Sequence, residues 1–423
     1  MTAPLPSQSK KLAEEKNAMR LSKLMLAGAG ALALALTATA ASAQKKYDDG
    51  ASDTEIRIGH TNPYSGPASA YGQIGKTIEA YFKKVNDGGG INGRKITFIS
   101  YDDGYAPPKT VEMVRKLVEE DKVLFVFQTL GTPPNTAIHK YLNAKKVPQL
   151  FVATGASVWG QPKEYPWTMG WQPDYQTEGV IYAKHILANV KDPKIAVLMQ
   201  NDDYGRDYFN GFKRGLGKDA NKIVQVATYE VADPTIDSQI IALKNSGANA
   251  FFNITTPKFA AQAIKKAHEI GWKPAHYLNN VSVSVGSVMK PAGLEASQGL
   301  ISAGYLKDPT DPQFDKDADM AAWRAFMDKF YPNGDKTSTF PTYGYAVSST
   351  LAEVLKRAGD NLTRENVMKQ AASMKNLEVP LLIPGIKINT SATDFYPIQS
   401  VRLQRFEGAT WHLFGDVLSN EAD

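Results

Sequence analysis

The chain contains no cysteine in 423 residues. Disulfides, thiolate metal sites and a cysteine nucleophile are therefore excluded, and there is no thiol to carry a lipid anchor. A chain of this length buries enough apolar surface to stand without cross-links. Histidine is scarce as well: the six present show no His-x-x-x-His spacing and no carboxylate placed to complete a metal site. An excess of one charge is also missing. With 48 basic and 43 acidic residues the formal net charge is only +5, so neither nucleic acid nor a membrane surface is an expected partner. Nucleotide-binding signatures fail in detail. Gly88-Gly-Gly-Ile-Asn-Gly93 closes a predicted helix instead of opening one after a strand, as a dinucleotide loop must. Gly75-Lys-Thr77 lacks the leading glycine of a phosphate loop, because Ala70 stands in its place. No Gly-x-Ser-x-Gly elbow occurs. The expectation is a protein with no catalytic residue, no metal and no cofactor.

What is present starts at the N-terminus. Arg20 and Lys23 precede an apolar run over residues 24–36, and Ala41-Ser42-Ala43 follows it. A positive flank, a short apolar stretch and a small-x-small site describe a cleavable export signal; a membrane span would need about 20 apolar residues. Residues 1–43 are expected to be removed after Ala43, whether translation starts at Met1 or at Met19. Five basic and two acidic residues leave with them, and the formal charge drops to +2. The remaining 380 residues then work in the periplasm of a two-membrane bacterium, away from ATP, NAD and nucleic acid.

Beyond residue 53 the hydrophobic period switches regularly between 2 and 3.6. Strands are predicted at residues 56–59, 96–101, 124–127 and 147–152, separated by helices at 71–86, 108–120 and 135–143. The pattern then restarts, with strands at 195–198, 223–229, 250–254 and 276–278 between helices at 175–189, 205–216, 237–245 and 257–270. Two such α/β units without a flexible linker imply two lobes of similar build, each with a parallel sheet. Helices near 317–330 and 345–358 and edge-like strands within 386–414 have to complete sheets begun earlier, so the chain crosses between lobes more than once. Ligands of open parallel sheets sit beyond the carboxyl ends of the strands, and two facing sheets make a clamp.

The loops at those ends are rich in hydroxyls, amides and rings. Thr129-Leu-Gly-Thr132 leads into a helix through Pro133 and Pro134, and Ala153-Thr-Gly-Ala-Ser157 follows the fourth strand. Each offers uncharged donors where a helix begins, a setting that holds a carboxylate by oriented dipoles. Tyr71, Tyr204, Phe340 and Tyr343 occupy neighbouring loop positions and are candidate walls for an apolar ligand body.

Several ordered motifs, Ile56-Arg-Ile-Gly59, Tyr64-Ser-Gly-Pro-Ala-Ser-Ala-Tyr-Gly72, Asn86-Asp-Gly-Gly-Gly-Ile-Asn-Gly-Arg94, Tyr101-Asp-Asp103, Ala153-Thr-Gly-Ala-Ser157, Asp202-Asp-Tyr-Gly205 and Gly247-Ala-Asn-Ala-Phe-Phe252, resemble the branched-chain amino acid binding proteins of ABC importers. The resemblance runs from about Ile56 to Phe414. It implies a type I periplasmic binding protein: two Rossmann-like lobes joined by three crossovers, closing on a small solute like a flytrap. The lobes implied are residues 54–171 with 304–375, and 172–303 with 376–418. Carried over by motif position, Tyr71 covers the ligand from the first lobe. Gly131 and Thr132, beside Leu130, bind its carboxylate together with Thr154, Gly155 and Ala156. Tyr204, Thr255 and Asn280 approach from the second lobe, and Phe340 flanks the side chain.

Two departures stand out. Amino acid binders of this family place an acid near Asn279 and Asn280 to neutralise the ligand ammonium, whereas Leu278-Asn-Asn-Val-Ser282 has no charge. They also often carry an aromatic residue where Thr255 stands. A buried ammonium without a counter-charge is costly. The expected ligand is therefore a carboxylate with an apolar or aromatic body, with a leucine-like amino acid close behind; Asp202, Asp203 and Glu178 are the acids that could restore the charge. The resemblance further implies a monomer that hands its solute to an inner-membrane ABC permease. A ligand sensor for a membrane receptor is the alternative, and an exported hydrolase a more remote one.

Overall fold

The computed structural model describes residue 19 and residues 45–419, so the apolar run and the cleavage site of the expected export signal lie outside the described residues. Residues 47–419 form one compact unit built around two large sheets. The first sheet has five parallel strands: β1 (Glu55–Asn62), β2 (Lys95–Asp102), β3 (Phe125–Phe127), β4 (Gln149–Val152) and β5 (Thr168–Gly170), in the order β2-β1-β3-β4-β5. Helices α1 (Gly72–Asp87), α2 (Pro107–Glu119) and α3 (Thr132–Lys145) connect the first four. Strands covered on both faces read as continuous apolar runs, and Leu124, Phe125, Val126 and Phe127 are all fully buried.

The second sheet has seven strands. Parallel β6 (Ile195–Gln200), β7 (Ile223–Tyr229), β8 (Ala250–Ile254), β9 (Ala275–Leu278) and β10 (Ile301–Gly304) are joined by antiparallel β11 (Ser400–Glu407) and β12 (Thr410–Ser419), in the order β12-β11-β10-β9-β8-β6-β7. Its helices are α4 (Tyr175–Asn189), α5 (Asp203–Leu216), α6 (Asp237–Asn245) and α7 (Pro257–Glu269). After β10 the chain returns to the first sheet as α8 (Ala318–Phe330), α9 (Thr339–Ala358) and α10 (Arg364–Ala371), with α8 and α9 packed on α1 and α10 on α9.

The chain thus passes between lobes three times: at residues 171–174, 305–317 and 372–399. The second and third passages pair with each other. Leu306 bridges Leu382, the Lys307 amide donates to the Leu381 carbonyl at 2.8 Å and the Ile383 amide to the Tyr305 carbonyl at 2.9 Å.

Three local differences from the sequence pattern affect the site. Helix α9 begins at Thr339 rather than 345, because the Ser338 hydroxyl caps it by accepting from the Phe340 amide at 3.3 Å. Pro341 sits in the first turn, where no amide is needed, so it reads as a breaker but acts as a starter. Phe340 and Tyr343 consequently sit on a helix rather than in a loop. Helix α5 likewise starts at Asp203, its N-cap Asp202 accepting from the amides of Tyr204 at 3.0 Å and Gly205 at 3.2 Å. Strand β5 was not expected: three residues are too few to show a period.

Candidate functional site

In a parallel sheet the crevice opens where successive strands depart to opposite sides. In the first sheet that point lies between β1 and β3, and in the second between β6 and β8. The segments following these four strands supply Tyr71, Leu130 with Gly131 and Thr132, Tyr204, and Thr256, and all of them line one cavity between the two sheets. Asn280 joins them after β9, and Phe340 from the first turn of α9. The topology alone therefore brings segments more than 100 residues apart onto one wall.

The floor on the first-lobe side depends on a glycine. Gly131 has φ of +95°, and a Cβ there would lie 2.3 Å from the Tyr105 ring. Prolines at 133 and 134 have no N–H, so the Thr132 amide is the donor that the start of α3 presents. The Asn135 side chain holds the turn from behind, donating to the carbonyls of Thr129 and Gly131, each at 2.8 Å. Seven aromatic rings share the wall with aliphatic and polar residues. Tyr71 and Phe340 have centroids 5.1 Å apart, and Tyr175 meets Tyr204 edge-on at 5.6 Å. The Tyr343 hydroxyl donates to Gln172, whose amide donates on to the Tyr175 hydroxyl. Among the described residues lining the cavity, none is Lys, Arg or His. Burial pushes the phenols of Tyr71, Tyr105 and Tyr204 well above their usual range, so they are neutral donors and acceptors.

Four sequence candidates are placed off the wall. Thr154 is buried just behind it, its hydroxyl 2.6 Å from that of Thr132. Gly155 is wedged against the Pro173 carbonyl and the Tyr175 ring, where a Cβ would meet atoms at 2.3 and 2.7 Å. Ala156 is buried in the core behind this turn. Thr255 turns its hydroxyl back to Asn253 at 2.7 Å, and Thr256 takes the cavity position instead. Side chains of consecutive extended residues face opposite ways, so an error of one residue moves the wrong side chain to the wall.

The wall also includes residues that sequence reasoning passed over, chiefly Tyr105, Gln172, Tyr175 and Asp308. Tyr343, a candidate wall in the sequence, lines the cavity as well. Two buried acids change the charge argument. Residues 278–282 carry none, but the Glu178 carboxylate accepts from the Asn280 amide at 2.8 Å and from its side chain at 2.5 Å. The hydroxyls of Tyr182 at 2.7 Å and Tyr208 at 2.9 Å complete its shell. Burial raises Glu178 to about 7 against these donors, which favour the ionised form. Of the other two acids, Asp202 serves as a helix cap and Asp203 faces solvent with Arg206 at 2.9 Å. The premise that the cleft lacks a carboxylate is corrected: Glu178 stands one residue behind Asn280, and Asp308 lines the cavity itself.

Contacts across the mouth join the lobes on both flanks. Tyr71 donates to the Val281 carbonyl at 3.2 Å, Gln73 to the Ser287 hydroxyl at 3.1 Å, and the Gly286 amide to the Thr337 carbonyl at 3.1 Å. On the other flank the Ser157 amide and hydroxyl donate to Asp207 at 2.8 and 2.7 Å. This is a closed clamp.

Fold and site together define a two-lobed solute trap, and comparison with known proteins agrees. Residues 55–410 match the profile of the periplasmic binding protein family, and the chain belongs to that family. Its members are substrate-binding proteins rather than enzymes. A Leu/Ile/Val-binding protein homologue of Brucella abortus is 28% identical over 338 residues, covering 78% of this chain and 86% of the relative. The structure of a branched-chain amino acid ABC transporter protein from Thermus thermophilus, with bound valine, superimposes with a TM-score of 0.79 at 15% identity, covering 88% of this chain and 98% of that one. A fatty acid ABC transporter substrate-binding protein from Thermomonospora curvata gives 0.71 at 21% identity, covering 89% and 95%. Among the described residues no helix is long and apolar enough to cross a membrane.

Proposed function

We propose that this chain is exported, released after Ala43, and captures a small carboxylate with an apolar body, delivering it as a monomer to an inner-membrane ABC permease. Residues 54–171 with 304–375 act as one jaw and 172–303 with 376–418 as the other. The observation that supports this reading is a cavity walled from both sheets by rings and uncharged donors, with Asp308 its one acid among the described residues and the Thr132 amide and hydroxyl at its first-lobe end. Helix starts of this kind hold carboxylates without a cation. Valine and a fatty acid, named for two structural neighbours, share a carboxylate and an apolar body. Ligand contacts from both jaws stabilise the closed state over the open one, and a permease can read that difference.

Mass spectrometry of the small molecules released on denaturing the purified protein tests it; the expected result is a carboxylic acid at close to one per chain, and a cationic or phosphorylated species would overturn the reading. Tyr204 offers a second test. Its ring is 3% exposed and its hydroxyl lies 2.5 Å from the Asn279 amide. Tyr204→Ala is expected to weaken capture of the released acid by roughly tenfold or more while circular dichroism stays that of the parent. Unchanged affinity in calorimetry would remove Tyr204 from the site.

A further inference from the structure

Asp308 is the acid on the cavity wall, and its two oxygens are not equivalent. Oδ1 accepts from the Thr310 amide at 2.7 Å and from the Thr310 hydroxyl at 2.5 Å. Oδ2 is shut away from solvent and has no hydrogen-bond partner among the described residues, although the residue is only 5% exposed. A buried acceptor left unmade is rare enough to demand an explanation.

The neighbourhood is built to hold this geometry. Thr310 is itself tied to Thr410 by a 2.8 Å hydroxyl contact, and the Asp311 amide donates to the Asp308 carbonyl at 3.2 Å. The preceding residues Leu306 and Lys307 are pinned to the third passage between the lobes. Among the described residues no Lys or Arg pairs with the carboxylate. Lys307 is turned to Asp317 at 2.7 Å and Asp319 at 3.1 Å, while Arg324 donates to Asp315 and to the Pro309 carbonyl. Burial lifts the Asp308 carboxyl to about 6 against the two bonds from Thr310, and the negative charge of Asp311 adds to the rise.

We infer that Asp308 determines specificity: its Oδ2 accepts a hydrogen bond from an N–H or O–H donor that the ligand carries in addition to its carboxylate. The inference rests on the capture reading above and goes further, since it selects bifunctional acids, amino or hydroxy, over acids with a purely apolar remainder. It also places the selecting group in a passage between the jaws, so recognition of that donor occurs at the hinge itself. A site whose buried acceptor needs a donor discriminates strongly against the analogue lacking it.

Asp308→Asn is a sharp test. Its carbonyl oxygen can keep both bonds from Thr310, and its NH2 then takes the place of Oδ2, presenting a donor where an acceptor stood. Calorimetry on the ligand-stripped protein would use matched pairs: leucine against 4-methylpentanoate, and 4-hydroxybenzoate against benzoate. The parent is expected to bind the donor-bearing member of at least one pair more tightly, by roughly tenfold or more. Asp308→Asn should reduce that preference to below about twofold while still binding the plain acid, which also shows that the variant is folded. The leucine pair reports an amine and the benzoate pair a hydroxyl, so the arms separate the two donors. Binding of both members with a parent preference below about tenfold, or one that Asp308→Asn leaves above about twofold, overturns the inference and leaves capture standing. Binding of no member of either pair overturns both.

Discussion

Gly211→Ala is expected to destabilise the protein by on the order of 3 kcal/mol, a larger effect than most single methyl additions produce. The reason lies in the pairing of α4 with α5, which approach backbone to backbone. A Cβ at Gly211 would sit 2.3 Å from both the Cα and the carbonyl oxygen of Gln176. Gly179 meets the Phe212 amide and the Tyr208 carbonyl at 2.7 Å, and Gly215 meets the Val180 Cα at 2.7 Å. None of these neighbours is the flexible end of a side chain, so relief requires the helices to separate. Separation would reach the site, because α4 carries Tyr175 and Glu178 while α5 carries Tyr204 and Tyr208, and Tyr175 stacks on Tyr208 at 4.1 Å. Weaker ligand binding should accompany the loss of stability. Urea melts of Gly211→Ala beside Asn210→Ala, an exposed neighbour on the same helix, would measure it. The control should stay within about 0.5 kcal/mol of the parent. If both variants melt together, the close approach of the helices is not what holds them.

These glycines show where a sequence is informative and where it is silent. Alternating strand and helix periods across residues 56–278 announced two parallel sheets, because a buried parallel strand has to be apolar along its length. The loops after those strands and the family resemblance together pointed to much of the wall, and Tyr71, Leu130, Gly131, Thr132, Tyr204, Asn280 and Phe340 do line the cavity. What failed was side-chain direction: Thr255 and Thr256 differ by one residue and face opposite ways. Long-range placement failed too. Asp308 lies in a passage with no period, and nothing local says that this passage returns to the cleft. Glu178 sits on the buried face of a helix, 102 residues from the Asn280 that it holds. Charge absent from one stretch of chain was supplied from another, so the expectation of a ligand without an amine lost its premise.

Glu178 leads to the second large effect. Glu178→Leu is expected to cost on the order of 4 kcal/mol, since the Asn280 amide, its side-chain NH2 and the Tyr208 hydroxyl all lose their acceptor inside the core. Glu178→Gln keeps one acceptor oxygen and should cost about half as much. The two variants also isolate a pH dependence. Burial raises Glu178 from 4.5 to about 7, outweighing the hydrogen bonds from Tyr182, Tyr208 and Asn280. Between those values the folded chain holds a proton that the unfolded chain releases. The stability contributed by this protonation is therefore complete below about pH 4.5 and lost as pH rises through 7, a change of about 3 kcal/mol. Burial lowers His60 to about 4 and His276 to about 3, so they act in the opposite sense, their contribution fading as pH falls below 6.5. The parent's own stability curve mixes these slopes, but the histidines are common to parent and variant. The difference in unfolding free energy between the parent and Glu178→Gln should accordingly shrink as pH climbs from 5 to 8, by denaturant titration at each pH. A difference that stays constant or widens over that range would show that Glu178 is ionised in the folded protein. Its four donors would then be holding a carboxylate, and the cleft would carry a fixed negative charge directly behind Asn280.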